Sequence, residues 1–118
     1  MAREDVRVEL SSSPFLSQVP FRGDLIMQVN EYFDGNVTSI AFENGEGRAT
    51  SGVMLVGDYE FGTSEKELMK IVSGKLEAKL PGEPGYRAYP AGSEFRIDAN
   101  QKFQVRVIEP TAYLCFYS

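Results

Sequence analysis

YRAYPAGSEFRIDANQKFQVRVIEPTAYLCFY, residues 86–117, settles the fold class. Four short runs rich in aromatic and β-branched residues read as strands: Tyr86 to Tyr89, Glu94 to Ile97, Phe103 to Ile108 and Thr111 to Tyr117. The breaks between them, Pro90-Ala91-Gly92, Asp98-Ala99-Asn100-Gln101 and Glu109-Pro110, are made of turn-forming residues. Short strands recurring about every 8–12 residues signal a sandwich or barrel.

The same grammar continues toward the N-terminus. Pro81-Gly82-Glu83-Pro84-Gly85 is a loop, and Leu68 to Val72 and Leu76 to Leu80 flank Ser73-Gly74, which reads as a two-residue turn. Tyr59, Phe61 and Thr63 alternate onto one strand face, and Val37 to Phe42 and Thr50 to Val56 are further apolar runs around Gly45-Glu46-Gly47. Ser64 to Met69 is too short for a helix and begins a strand. The class is all-β.

Residues 1–24, with Ser11-Ser12-Ser13-Pro14, Pro20 and scattered charges, carry no sustained period and read as a flexible extension ahead of one barrel domain, residues 25–118. Met27 offers an alternative start. At 118 residues the chain suits one domain, and its 42% hydrophobic and 25% charged content is ordinary globular composition. A net charge of −5 opposes a nucleic-acid or anionic-membrane surface, since both need a cationic field. An anionic substrate must then be met by a local Arg or Lys cluster.

No apolar stretch approaches the about 20 residues of a membrane span, and the charged N-terminus lacks a secretory h-region. With a lone Cys115, read as a packed thiol, the expected location is the cytoplasm. The chain has no histidine, which removes the usual general base and the commonest metal ligand.

Two spacings resemble the paired signatures of the cupin fold, a double-stranded β-helix or jelly roll. In the first, Glu67 and Gly74 hold the Glu and closing Gly positions, while Phe61 and Thr63 stand where two histidines belong. In the second, Gly92 fits the opening, Asp98 and Asn100 replace Pro and Gly, and Phe103 replaces the histidine. Only Glu67 remains a competent ligand, so no metal site is expected.

A closer resemblance runs from Asn30 to Cys115. Asn30-Glu31-Tyr32-Phe33, Gly47-Arg48-Ala49, Gly52-Val53-Met54, Tyr59-x-Phe61-x-Thr63, Ser73-Gly74, Ala91-Gly92-Ser93 and Glu109-Pro110-Thr111-x-Tyr113-Leu114-Cys115 are similar to the pyrimidine/purine nucleoside phosphorylases, a small-cupin family. Phe116 stands where a basic residue is expected, which argues against a phosphate contact on that strand. The resemblance implies a transferase of nucleoside salvage. Purine and pyrimidine nucleosides would react with inorganic phosphate to give free base and α-D-ribose 1-phosphate, with no organic cofactor. It also implies a homodimer.

Phosphorolysis needs a cationic cradle, a group for the ribose and an apolar slot for the base. Arg48, beside Gly45-Glu46-Gly47 and the hydroxyls that include Ser51, is the candidate cradle; its plainer reading is a surface arginine closing a hairpin. Glu67 either holds ribose hydroxyls and favours a developing cation, or is a buried structural acid. Tyr59, Phe61, Phe103 and Tyr113, with the Thr63 hydroxyl, complete the substrate-binding set; aromatics on inward faces also serve simply as core. Arg87, Arg96 and Arg106 read as solvated. A cupin that binds a small sugar or nucleoside without catalysis is the competing reading.

Overall fold

The computed structural model describes residues 27–118 and, as backbone, Val8–Ser11. The strands are β1 (Val8–Ser11), β2 (Gln28–Tyr32), β3 (Val37–Asn44), β4 (Gly47–Met54), β5 (Gly57–Thr63), β6 (Glu67–Lys79), β7 (Arg87–Pro90), β8 (Glu94–Ile97) and β9 (Lys102–Tyr117). β1 runs parallel to β5 within the stretch read as an extension; the rest of that stretch lies outside the described residues. All other pairings are antiparallel.

Two long strands organise the molecule. β9 pairs along its C-terminal half with β4 and along its N-terminal half with β5, while β6 runs beside almost all of it. β6 in turn pairs with β8 near its start and with β7 near its end. Each long strand therefore passes from one sheet to the facing sheet, the cupin arrangement. Among the described residues the hydrogen-bonded circuit stays open, because β1 and β2 end the main path of strands and β7 and β8 branch from β6.

Two expected breaks are continuous strand. Ser73-Gly74 is a bulge inside β6, with register shifts between Ile71 and Leu76. Burial shows its effect: Glu67, Met69 and Ile71 face inward before it, Leu76 and Ala78 after it. A one-residue slip exchanges the faces of a strand, so the bulge is what lets one strand serve two sheets. Glu109-Pro110 lies within β9 at the same crossing, where Ile108, Glu109 and Pro110 are all exposed. Here proline marks a bend rather than an end.

Gly74 is required at that crossing. Its φ is +90°, and a Cβ there would lie 2.4 Å from the Pro110 carbonyl oxygen and 2.8 Å from Thr111 Cα. Thr111 ties the knot: it is fully buried, its Oγ1 accepts from the Lys75 N–H at 3.1 Å and donates to the Glu109 carbonyl at 2.8 Å.

β2 went unseen in the sequence because its pattern is inverted. Gln28, Asn30 and Tyr32 point inward, while Val29 is 51% exposed. The turn after it places Phe33 at φ 54° and Asp34 at φ 59°, an uncommon conformation for bulky residues. Burial offsets the strain. Phe33 packs against Tyr59 at 4.9 Å and Phe61 at 5.5 Å between centroids, and the aromatic chain continues through Phe103, Phe95 and Tyr89.

Gly74→Ala is expected to destabilise the protein by at least about 2 kcal/mol, from the left-handed φ and the backbone collision together. Urea unfolding followed by far-UV circular dichroism checks this; a variant with an unchanged midpoint would show that the crossing tolerates a side chain.

Candidate functional site

The interior groups are set out by ladder register. At one end of the sheet a lateral row runs Glu43, Arg48, Tyr117, Glu67, Ile97 across β3, β4, β9, β6 and β8. The next inward row is Ala41, Thr50, Cys115, Met69, Phe95, and the one after is Asn30, Ser39, Gly52, Tyr113, Ile71. Laterally paired residues share a face, so each row projects into the space between the sheets.

A cavity of about 30 Å³ lies there, lined by Tyr32, Ser39, Met54, Glu67, Tyr113 and Tyr117 together with apolar neighbours. Its polar groups form two sets. Thr50 Oγ1 and the Tyr117 hydroxyl lie 3.1 Å apart, Tyr117 hydrogen-bonds Cys115, and the Cys115 thiol donates to Glu67 Oε1 at 3.5 Å. One row further along the same sheet, Ser39 interacts with the Tyr113 phenol. Gly52 makes room for that pair, because a Cβ there would sit 2.7 Å from the Tyr113 hydroxyl and 2.6 Å from the Thr38 carbonyl.

Burial dominates the acid–base behaviour of these groups. It pushes the Cys115 thiol well up, and the neighbouring Glu67 charge adds to the effect. Burial likewise raises the Tyr113 and Tyr117 phenols, with Cys115 the next contributor for each and hydrogen bonds from Ser39 and Thr50 acting the other way. All three stay protonated at neutral pH, so the thiol is no nucleophile and the phenols act as hydrogen-bonding groups.

Arg48 sits at the outer end of the row, its side chain 31% exposed. Its guanidinium grips Glu65 in a two-pronged pair, Nη2 to Oε1 at 2.5 Å and Nη1 to Oε2 at 3.3 Å. The Glu65 side chain is 17% exposed. Arg48 therefore stands beside the cavity rather than in its lining, one strand from Tyr117 and two from Glu67.

The other sequence-derived candidates divide. Glu67, Phe61, Phe103 and Tyr113 come together around the cavity. Tyr59 packs behind it in the core, its hydroxyl donating to the Leu55 carbonyl at 2.7 Å. Thr63 anchors the 98–101 loop, donating to the Asp98 carbonyl at 2.7 Å and accepting from the Gln101 N–H at 3.0 Å. Ser51 is exposed on the outward face of β4. Phe61 and Phe103 stack on each other at 5.6 Å, a separation that leaves no gap for an inserted base. Phe116 faces outward beneath Lys70 Nζ, 5.4 Å from the ring centroid. Arg87, Arg96 and Arg106 are exposed as expected.

Sequence reasoning missed Tyr32, Ser39, Met69 and Tyr117 as lining residues, and Glu65 as the partner of Arg48. Tyr32 was within reach, since it lies in a family block, whereas nothing local marks Glu65.

The donor set does not fit a divalent metal. Among the described residues no group of three or more His, Cys, Asp or Glu is placed to hold one. Phe61, Thr63 and Phe103 occupy the ligand positions, and Glu67 faces a protonated thiol. Also among the described residues, no helix is long and apolar enough to cross a membrane.

The family model described as pyrimidine/purine nucleoside phosphorylase matches residues 27–117. A protein of that name from Rhodopirellula baltica is 99% identical over 92 residues, which is 78% of this chain and 100% of that protein. A crystal structure of a Vibrio parahaemolyticus protein of unknown function superposes with a TM-score of 0.75 at 39% identity, covering 79% of this chain and 99% of that one. An RmlC-like cupin from Shewanella frigidimarina superposes with a TM-score of 0.60 at 12% identity, covering 84% and 88%, a likeness of fold alone.

The weakened acidity of these groups has a consequence for stability. Below about 8.5 for the thiol and about 10 for the phenols, both folded and unfolded chains hold these protons. Above those values the unfolded chain releases them while the folded one keeps them, so stability falls as pH rises. The unfolding free energy from urea titrations is expected to decline between pH 9 and 11 by up to about 1.4 kcal/mol per pH unit per group, and Tyr117→Phe should flatten the decline. An identical slope in wild type and variant would remove Tyr117 from the account.

Proposed function

The chain belongs to the pyrimidine/purine nucleoside phosphorylase family, and from that premise we propose that it cleaves purine and pyrimidine nucleosides with inorganic phosphate, without a metal or organic cofactor. A phosphate oxygen bonds to C1′ of the ribose as the C1′–N bond breaks. The electron pair leaves on the base nitrogen, which takes up a proton, and α-D-ribose 1-phosphate is the other product.

One observation carries the residue assignment: Arg48, Tyr117 and Glu67 stand side by side in one inward row, at the end of the barrel where the cavity lies. Phosphate bears its charge before the reaction and needs only to be held, oriented and partly dried. A planar guanidinium on the rim suits that task, since its paired N–H groups match two oxyanion oxygens. The ribose gains positive charge as its bond to the base weakens. A buried carboxylate two strands away favours that charge in a setting of low polarity. Tyr117 lies between them and offers a hydroxyl to a sugar oxygen.

The base meets the aromatic wall. Phe61 and Phe103 leave no slot between them, so a base would stack on the side of that pair that lines the cavity, a contact open to any nucleobase that supports a broad substrate range. A cavity of about 30 Å³ takes a water-sized guest, and small-molecule sites typically span about 300–1,000 Å³. Entry of a nucleoside thus requires part of the wall to give. Edge strand β2, which among the described residues pairs only with β3 and carries Tyr32 into the cavity, is the wall of that cavity with the fewest ties. Outward-facing Val29, Ile40 and Val53 form an apolar patch on β2, β3 and β4 that supports a homodimer, and the lone buried thiol suits a cytoplasmic setting.

The test is incubation with uridine or adenosine, with and without phosphate, reading free base and ribose 1-phosphate. Phosphate-dependent release of both products is expected. Release without phosphate would indicate a hydrolase, and no release a binding protein. Arg48→Ala is expected to lower kcat/KM by about 100-fold or more, and Glu67→Gln by at least about tenfold. Folded variants within threefold of wild type would strip those residues of their roles.

A further inference from the structure

We propose that Glu65 competes from within the protein for the phosphate subsite, its carboxylate occupying the Arg48 fork until a dianion displaces it. The inference rests on the assignment of Arg48 as the phosphate cradle, and names the group that sets affinity and anion selectivity there.

The geometry supplies the argument. Glu65 belongs to the Ser64-Glu65-Lys66 link between β5 and β6, and it reaches Arg48 on β4 across the sheet end. Two guanidinium nitrogens each donate to a different carboxylate oxygen, the same fork-to-fork match an Arg–phosphate pair uses. Both side chains are more than two-thirds shielded, so solvent screens the pair less than an open surface contact. Its two flanks are acidic as well. Glu43 pairs directly with Arg48 in the ladder, and Glu67 lies two strands over.

A phosphate dianion set down beside this arrangement would meet carboxylates around a cation whose charge is already matched. It binds by replacing Glu65. The link makes that exchange simple, because Ser64 and Lys66 on either side are exposed and the released carboxylate turns toward water. Selectivity follows from charge. A monoanion offers the fork no more than Glu65 already gives, whereas a dianion brings twice the charge to the same donors. Glu65 thereby keeps the subsite closed to the more abundant monovalent anions and holds the arginine planar and aimed between turnovers.

The experiment titrates inorganic phosphate, and formate as a monoanion, into the wild-type chain and its variants by calorimetry, with circular dichroism as the control for folding. Glu65→Gln is expected to bind phosphate about tenfold more tightly and to gain measurable formate binding. Glu65→Asp keeps the charge but is one methylene short of a two-pronged grip, and should fall between. In Glu65→Gln/Arg48→Gln the gain should vanish, which places it at the guanidinium. Phosphate affinity that is unchanged or weaker in both single variants overturns the proposal and makes Glu65 a support for Arg48. The outcome is separable from that of the function itself: uridine phosphorolysis by the wild-type chain tests the reaction, and the affinity change tests the competitor.

Discussion

The crossing of β6 and β9 is the constraint on which the rest of the structure depends. Each strand must leave one sheet and enter the facing one at the same height, with two backbones in contact. Gly74 permits the approach, since a Cβ would meet the Pro110 carbonyl at 2.4 Å, and Thr111 fills the gap with hydrogen bonds to both strands. The bulge also shifts the inward phase of β6 from Glu67, Met69 and Ile71 to Leu76 and Ala78. Without that shift one half of the strand would turn its apolar side chains to water.

What the crossing encloses is a polar cluster within an apolar shell. Thr50, Tyr117, Cys115 and Glu67 form a connected string, and Ser39 lies by Tyr113 in the next row of the same sheet. Buried polar groups are tolerable when they are partnered and costly otherwise. Here the thiol and phenol protons stay where burial keeps them, and the one permanent cation of the row, Arg48, is matched by Glu65. Phe61, Thr63 and Phe103 stand where the cupin signatures place metal ligands, and the proposed reaction relies instead on holding a nucleophile already charged.

Much of the architecture was legible because strands buried on one face alternate, and β8 and the two halves of β9 do so plainly. Errors arose where local rules met a tertiary demand. Ser73-Gly74 has the composition of a tight turn and Glu109-Pro110 that of a strand end, yet each lies inside a strand bent by its partner. β2 presents Gln28 and Asn30 inward and Val29 outward, a pattern that reads as loop. Of the site, Glu67, Phe61 and Phe103 came from signature positions and Tyr113 from a family block, and all four line the cavity. Ser51 has the right residue type but the wrong parity, one step from the inward-facing Thr50.

By itself the sequence determined the all-β class, the absence of histidine chemistry, the family and the inward placement of Glu67, because strand periodicity, composition and ordered motifs are properties of the chain read in line. Tertiary structure alone decided that Arg48, Tyr117 and Glu67 share a row, that Glu65 occupies the arginine, and that Tyr59 and Thr63 serve the framework. The reason is register. Residues far apart in the chain become neighbours only once β4, β9 and β6 are aligned, and that alignment is fixed by one bulge and one crossing rather than by any local preference.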